Sequence, residues 1–224
     1  MIPRAAKAAY YGLAGPLMAL NGMIYRALGA PRDGLNRVHL GPGQSRYLQG
    51  WINVDANIVT AKPDVWADMR RKLPFRDNSI DAFYSHQVIE HLPDIAGHLR
   101  DVHRCLRPGG VYRVGAPNAD SAIRKFLEED SDWFGDFPEK RDSVGGKLDN
   151  FILCGNEHLS IITKSYMTEL LSKIGFEDIE ACLPTRETRF PDLFGQCLSI
   201  EWERDFEAPH VLLLEAVKSP EIAA

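Results

Sequence analysis

The sequence predicts an α/β fold, a doubly wound and mostly parallel sheet, on three observations. From Arg37 onward, short apolar runs alternate with stretches of helical period, the pattern of strands joined by crossovers. The first four runs stop at Gly41-Pro42-Gly43, Asp55, Asp68 and Ser85-His86. Near the C-terminal end His210–Val217 is almost continuously apolar, as a strand covered on both faces should be. A length of 224 residues suits one such domain with decorations. With 45% hydrophobic and 25% charged residues the chain is globular in composition, which excludes disordered, collagen-like and mucin-like classes.

The elements follow in order. Between Lys7 and Arg26 lie eighteen uncharged residues, among them Leu13, Leu17, Leu20 and Ile24. That is the lower edge of a membrane-spanning length, but Gly12, Gly15, Pro16, Asn21 and Gly22 interrupt it. Two short helices packed on the domain are expected over residues 1–35, with membrane contact as the less favoured reading. Strands are expected at Arg37–Leu40, Trp51–Val54, Asp64–Ala67, Ile80–Tyr84 and Val111–Val114, each of ordinary length. Ile95, Leu99, Val102 and Leu106 make one apolar helical face, which Pro108 and two glycines terminate. Met167, Leu170, Leu171 and Ile174 make another, with Ser165 or Thr163 as its N-cap and Gly175 as a left-handed C-cap. Phe176–Cys182 and His210–Val217 are the last strands.

Residues 119–162 break the alternation. Asp120 is placed to cap a helix carrying Ile123, Phe126 and Leu127, ahead of an acidic stretch with Trp133, Phe134 and Phe137. An insertion where strands end is the usual site of a substrate-covering lid, with a surface loop around its own aromatic cluster as the competing reading.

Charge and cysteines narrow the partners. The net charge is −5 and the sequence pI about 5.8, with no long Lys/Arg run, so a nucleic-acid partner is not expected. Cys105, Cys154, Cys182 and Cys197 form neither a zinc-binding spacing nor a disulfide framework. A cytoplasmic, reducing setting follows as the expectation, and no metal site is assigned: His86, His91 and His158 could bind an ion, but their spacing gives that no specific support.

A strand, a Gly-x-Gly turn, a second strand and a terminal acid make a nucleotide-binding arrangement. Gly41, Gly43 and Asp55 fit it. Arg46 stands where a dinucleotide fingerprint needs its third glycine, and Pro42 lacks a donor that a pyrophosphate would use. A nicotinamide cofactor is therefore disfavoured.

The ordered series adds weight: His39–Gly43, Gly50-Trp51-Ile52-Asn53-Val54-Asp55, Asp68, Leu73–Asp81, Ser85–His91 and Leu106–Gly110. Together these resemble the class I S-adenosylmethionine-dependent methyltransferases, in the compact branch whose second strand reads Gly-Trp-x-Asn-x-Asp. The resemblance covers residues 37–118 well and 158–217 weakly. It implies a Rossmann-like sheet with a reversed C-terminal strand, over a methyltransferase domain at 36–224. It also implies S-adenosylmethionine as cofactor: Gly41 and Gly43 around its methionine part, Asp55 at the ribose, Ala56 beside the adenine, Asp68 accepting from the adenine amino group, and Met69 flanking the ring. Ser85 and His86 would face the reacting methyl.

Two departures accompany it. Pro42 and Ser45 replace a commoner cysteine and glycine. The first two crossovers are also shorter than the dozen residues a parallel connection usually needs, so their helices must be reduced or lost. Residues 1–30 are expected to cover the face so exposed. The expected chemistry is methyl transfer to an oxygen of a small molecule or saccharide, with nitrogen and carbon acceptors open. A neutral histidine suits the base. His158 is one candidate, against a loop-anchoring role, and His86 the other; His91 is read as structural. The rival function is a silent cofactor-binding scaffold, membrane-associated through residues 1–30.

Overall fold

The computed structural model describes residues 4–28 and 34–219. Seven strands form one sheet: β1 (Arg37–Leu40), β2 (Ile52–Asp55), β3 (Val65–Trp66), β4 (Ile80–His86), β5 (Leu106–Pro117), β6 (Phe176–Ala181) and β7 (Val211–Lys218). Their order is β3-β2-β1-β4-β5-β7-β6. The first five are parallel, and β7 runs antiparallel to both neighbours. This is the doubly wound, Rossmann-like sheet with a reversed C-terminal strand. The register places Leu40 between Val54 and Ser85, so Gly41, Asp55 and His86 emerge together at one edge.

The first two crossovers contain turns and no helix. One face is covered conventionally. α2 (Ile95–Cys105) and α5 (Lys164–Ile174) pack Leu99, Val102, Met167 and Leu171 onto Val38, Phe83, Tyr112 and Leu214. Asp94 caps α2 by accepting from the Gly97 amide at 2.7 Å. Thr163 caps α5, and Gly175 closes it at φ +106°. The other face lacks crossover helices, and the expectation that residues 1–30 cover it is not met. Residues 183–210, the excursion between β6 and β7, cover it instead. Phe194 of the short α6 (Pro191–Phe194) packs with Trp51 and Tyr84, and the Trp51 indole donates to Gln196 at 3.0 Å. Under this cover Arg113 is fully buried. It donates to both oxygens of Glu201 at 2.9 Å and to Glu215 at 2.6 Å, both carboxylates themselves buried.

The N-terminal segment is one helix, α1 (Arg4–Leu28), rather than two. Pro16 removes one backbone donor within it, but Gly12 and Pro16 are exposed, so water satisfies the carbonyl left free. α1 lies along the β3 edge. Ala14 and Met18 pack with Ala56 and Trp66, and Asn21 donates to the Trp66 carbonyl at 2.9 Å. Leu13, Leu17, Leu20, Ile24 and Leu28 are exposed along its outer side. Among the described residues no helix is long and apolar enough to cross a membrane.

The 119–162 segment holds α3 (Ala119–Leu127) and α4 (Val144–Leu153). Asn118, not Asp120, caps α3; Asp120 instead accepts from the Lys164 amide at 2.7 Å, at the start of α5. Trp133 and Phe134 are buried in a small core with Phe151 and Ala208, and only Phe137 of the three expected aromatics is exposed.

One buried histidine bears directly on acid stability. His39 is fully buried, its Nδ1 at 3.2 Å from Asn53 Oδ1, and burial lowers its pKa to about 4. The unfolded chain takes up that proton near pH 6.5 and the native state only near 4. This contribution is therefore complete above pH 6.5 and lost as pH falls toward 4, at up to about 1.4 kcal/mol per pH unit. His39→Gln should flatten the pH dependence of stability between 6.5 and 4, measured by urea unfolding at each pH.

Candidate active site

Strand ends build the site. A cavity of about 680 Å³ lies beyond β1, β2 and β3, and Gly41, Gly43, Asp55, Ala56, Asp68 and Met69 all line it. The glycine turn is required by space as well as by angle. A Cβ at Gly41 (φ +72°) would stand 2.5 Å from Val88 Cγ2, while one at Gly43 (φ +56°) would meet nothing within 4 Å. The Gly43 backbone thus faces open space, as close approach to a ligand needs. Asp55 is half-buried and accepts from the Gly43 amide at 3.1 Å and the Asn57 amide at 2.8 Å. Each carboxylate oxygen keeps a further lone pair for a diol. The donors and acceptors present therefore fit a nucleoside ligand.

Asp68 is buried, and Arg70 grips it through Nε at 2.9 Å and Nη2 at 2.8 Å. That guanidinium lies 3.5 Å from the Tyr11 ring centre, so an adenine amino group would share Asp68 with Arg70. Ala8 and Tyr11 of α1 are walls of the same cavity.

A second cavity, of about 360 Å³, lies over the ends of β4 and β7 and under the 119–162 segment. Gln87 lines both cavities. Phe137, Phe151 and Trp202 give the second one aromatic walls, and Arg46, His86, His158, Arg204 and His210 its polar groups.

The histidines differ in state. His86 is buried, and the Arg46 guanidinium donates to its Nδ1 at 2.7 Å. A guanidinium only donates, so Nδ1 carries the lone pair and Nε2 the proton. Burial, with Arg46 and Arg113 nearby, lowers the His86 pKa to about 3. The ring has no free basic nitrogen, which corrects the expectation of His86 as a base. His158 is half-buried, and its Nδ1 donates to the Ile152 carbonyl at 3.0 Å, leaving the lone pair on Nε2. Burial, then the neighbouring His91, lowers its pKa, so the ring is neutral at pH 7. His91 Nδ1 donates to the Glu157 carbonyl at 2.9 Å. Glu90, fully buried beside it, has its pKa raised by burial to about 8.

Six of the eight cofactor positions named from sequence meet in one cavity. Ser85 does not join them: its Oγ is turned into the core, 2.7 Å from the Tyr112 hydroxyl. His86 faces the second cavity. Sequence reading missed Ala8, Tyr11, Arg70 and Gln87, and nothing local to those residues marks them.

Residues 40–114 match the family model of the methyltransferase domain. Sterol 24-C-methyltransferase of Pneumocystis carinii is 29% identical over 139 residues, covering 60% of this chain and 33% of that enzyme. The chain spans no more than a third of the length of any of eight curated relatives it matches. Among solved structures, a Thermotoga maritima S-adenosylmethionine-dependent methyltransferase aligns over 96% of both chains, with TM-score 0.52 and 16% identity. Haemonchus contortus phosphoethanolamine N-methyltransferase 2, bound to phosphomonomethylethanolamine and S-adenosylhomocysteine, aligns over 91% of this chain and 53% of its own, with TM-score 0.53 and 16% identity. These last two establish a shared fold.

Proposed function

We propose that this chain, whose residues 40–114 belong to the methyltransferase domain family, is an S-adenosylmethionine-dependent methyltransferase acting on an oxygen of a small molecule or saccharide. One observation carries the reading. The cavity that gathers Gly41, Gly43, Asp55, Ala56, Asp68 and Met69 meets, at Gln87, a second cavity with aromatic walls and a neutral histidine. At about 360 Å³ that second space is near the lower end of small-molecule pockets. A silent scaffold would have it plugged or flat. The four cysteines are free thiols, as a cytoplasmic setting allows.

Bound in the first cavity, S-adenosylmethionine would supply an electrophilic methyl group for the acceptor oxygen. The residues do the rest. Gly41 and Gly43 let the backbone close on the methionine part, and Asp55 accepts from the ribose hydroxyls. Packed against a bound acceptor, Phe137, Phe151 and Trp202 would orient it and shield the reacting group from water. The His158 Nε2 lone pair takes the acceptor's proton.

Calorimetry should show binding of S-adenosylhomocysteine and none of NAD; the reverse pattern sinks the reading. Asp55→Ala should weaken S-adenosylhomocysteine by about 2–4 kcal/mol, roughly 30–1000-fold, since it deletes a charged acceptor for two hydroxyls. Circular dichroism should be unchanged, because Asp55 ends a strand outside the core.

A further inference from the structure

Glu90 and His91, which this chemistry leaves unused, meet His158 at the wall between the two cavities. Glu90 is fully buried, and neither carboxyl oxygen takes a hydrogen bond. His91 Nε2 lies 3.9 Å from Glu90 Oε1, and the His91 and His158 rings meet edge to face with centroids 4.9 Å apart. One ligand atom from each of the three residues lies within 4.8 Å of the other two. Both rings have Nδ1–H committed to a backbone carbonyl, Glu157 for His91 and Ile152 for His158. Their lone pairs are therefore on Nε2. Carbonyls that fix a ring in this tautomer are the usual support behind a metal-bound imidazole. A buried carboxyl with no donor is costly, and a cation between the three groups removes that cost.

We propose that Glu90, His91 and His158 form a site for one divalent transition ion, of the zinc or manganese type. Two imidazoles and one carboxylate are the ligand set of open, catalytic sites, which keep at least one position for a further oxygen. Bonds of about 2.0–2.2 Å would bring the ligand atoms to roughly 3.3 Å from one another. Small adjustments of the three side chains, His91 being 41% exposed, would supply the closure. That the open position takes the methyl acceptor rests on the methyltransferase reading; the ion site itself does not. An acceptor hydroxyl there would bind as the alkoxide, its proton passing to solvent water. His158 would then hold the ion rather than take the proton.

The test is calorimetric titration of chelator-treated protein with Zn²⁺ and with Mn²⁺, with neither cofactor nor acceptor present. Wild type should bind one ion of at least one kind. Glu90→Gln and His158→Gln should each weaken that binding by about 100-fold or more, with folding checked by circular dichroism. If Glu90→Gln fails to fold, His158→Gln carries the comparison. Absence of one-to-one binding, or equal binding by a folded variant, overturns the site. S-adenosylhomocysteine is titrated in parallel. Its binding without ion binding sinks the metal site and leaves the methyltransferase, while ion binding without it does the reverse.

Discussion

In ion-free protein, where its Nε2 lone pair is available, His158→Ala should lower turnover by about 10²–10⁴-fold, the usual worth of a positioned proton acceptor, while S-adenosylhomocysteine binds with nearly its normal affinity. The separation follows from placement. His158 lines the second cavity and not the one that gathers the glycine turn and the two acids. Wild-type turnover should rise with pH through a pKa below 6.5, because burial and then His91 hold the His158 pKa down. The variant should lose that rising limb. A variant with normal turnover, or one that loses cofactor binding equally, would show that His158 only anchors the 153–159 loop through its bond to the Ile152 carbonyl.

Arg113→Met should cost about 3–5 kcal/mol of stability, because it takes the shared cation from buried Glu201 and Glu215 and leaves Glu215 only the more distant Arg189, at 3.7 Å. For a chain of this size that is roughly a 10 °C fall in Tm. The methionine fills much of the volume, so unpaired charge dominates the loss over packing. Adding Glu201→Gln and Glu215→Gln should therefore restore a substantial part of it, as thermal unfolding of the single and triple variants will read. A loss below 1 kcal/mol in the single variant would mean that water reaches the two carboxylates.

What the sequence made legible was local chemistry. Thr163 and Gly175 were readable as caps because the residue types that satisfy helix ends are few. Gly41, Asp55 and Asp68 were readable because each ends an apolar run, and a parallel sheet gathers its strand ends at one edge. Ser85 was misplaced for an equally local reason. β4 is buried on both faces over residues 82–86, so no alternation told which way Ser85 points. Asp120 is a plausible cap by type, but its partner, the Lys164 amide, lies 44 positions on. Distance along the chain likewise hid Tyr11, which reaches the cofactor cavity from α1. It also hid the meeting of Glu90 with His158, and the cover over Trp51.

That cover bears on how the chain is made. Trp51 is capped by Gln196, 145 positions later, and the sheet around Trp51 and Tyr84 has no nearer helix to shelter it. Ribosomes add about 5–20 residues per second, so an apolar wall built early waits roughly 10–30 s for the segment that closes it. The interval is set by the speed of translation rather than by any contact in the finished molecule. Contacts so far apart in sequence also slow folding, since a large loop must close before they form. The nucleoside-binding turns are written in the first third of the chain, yet the sheet that aligns them is sealed only when the last third arrives.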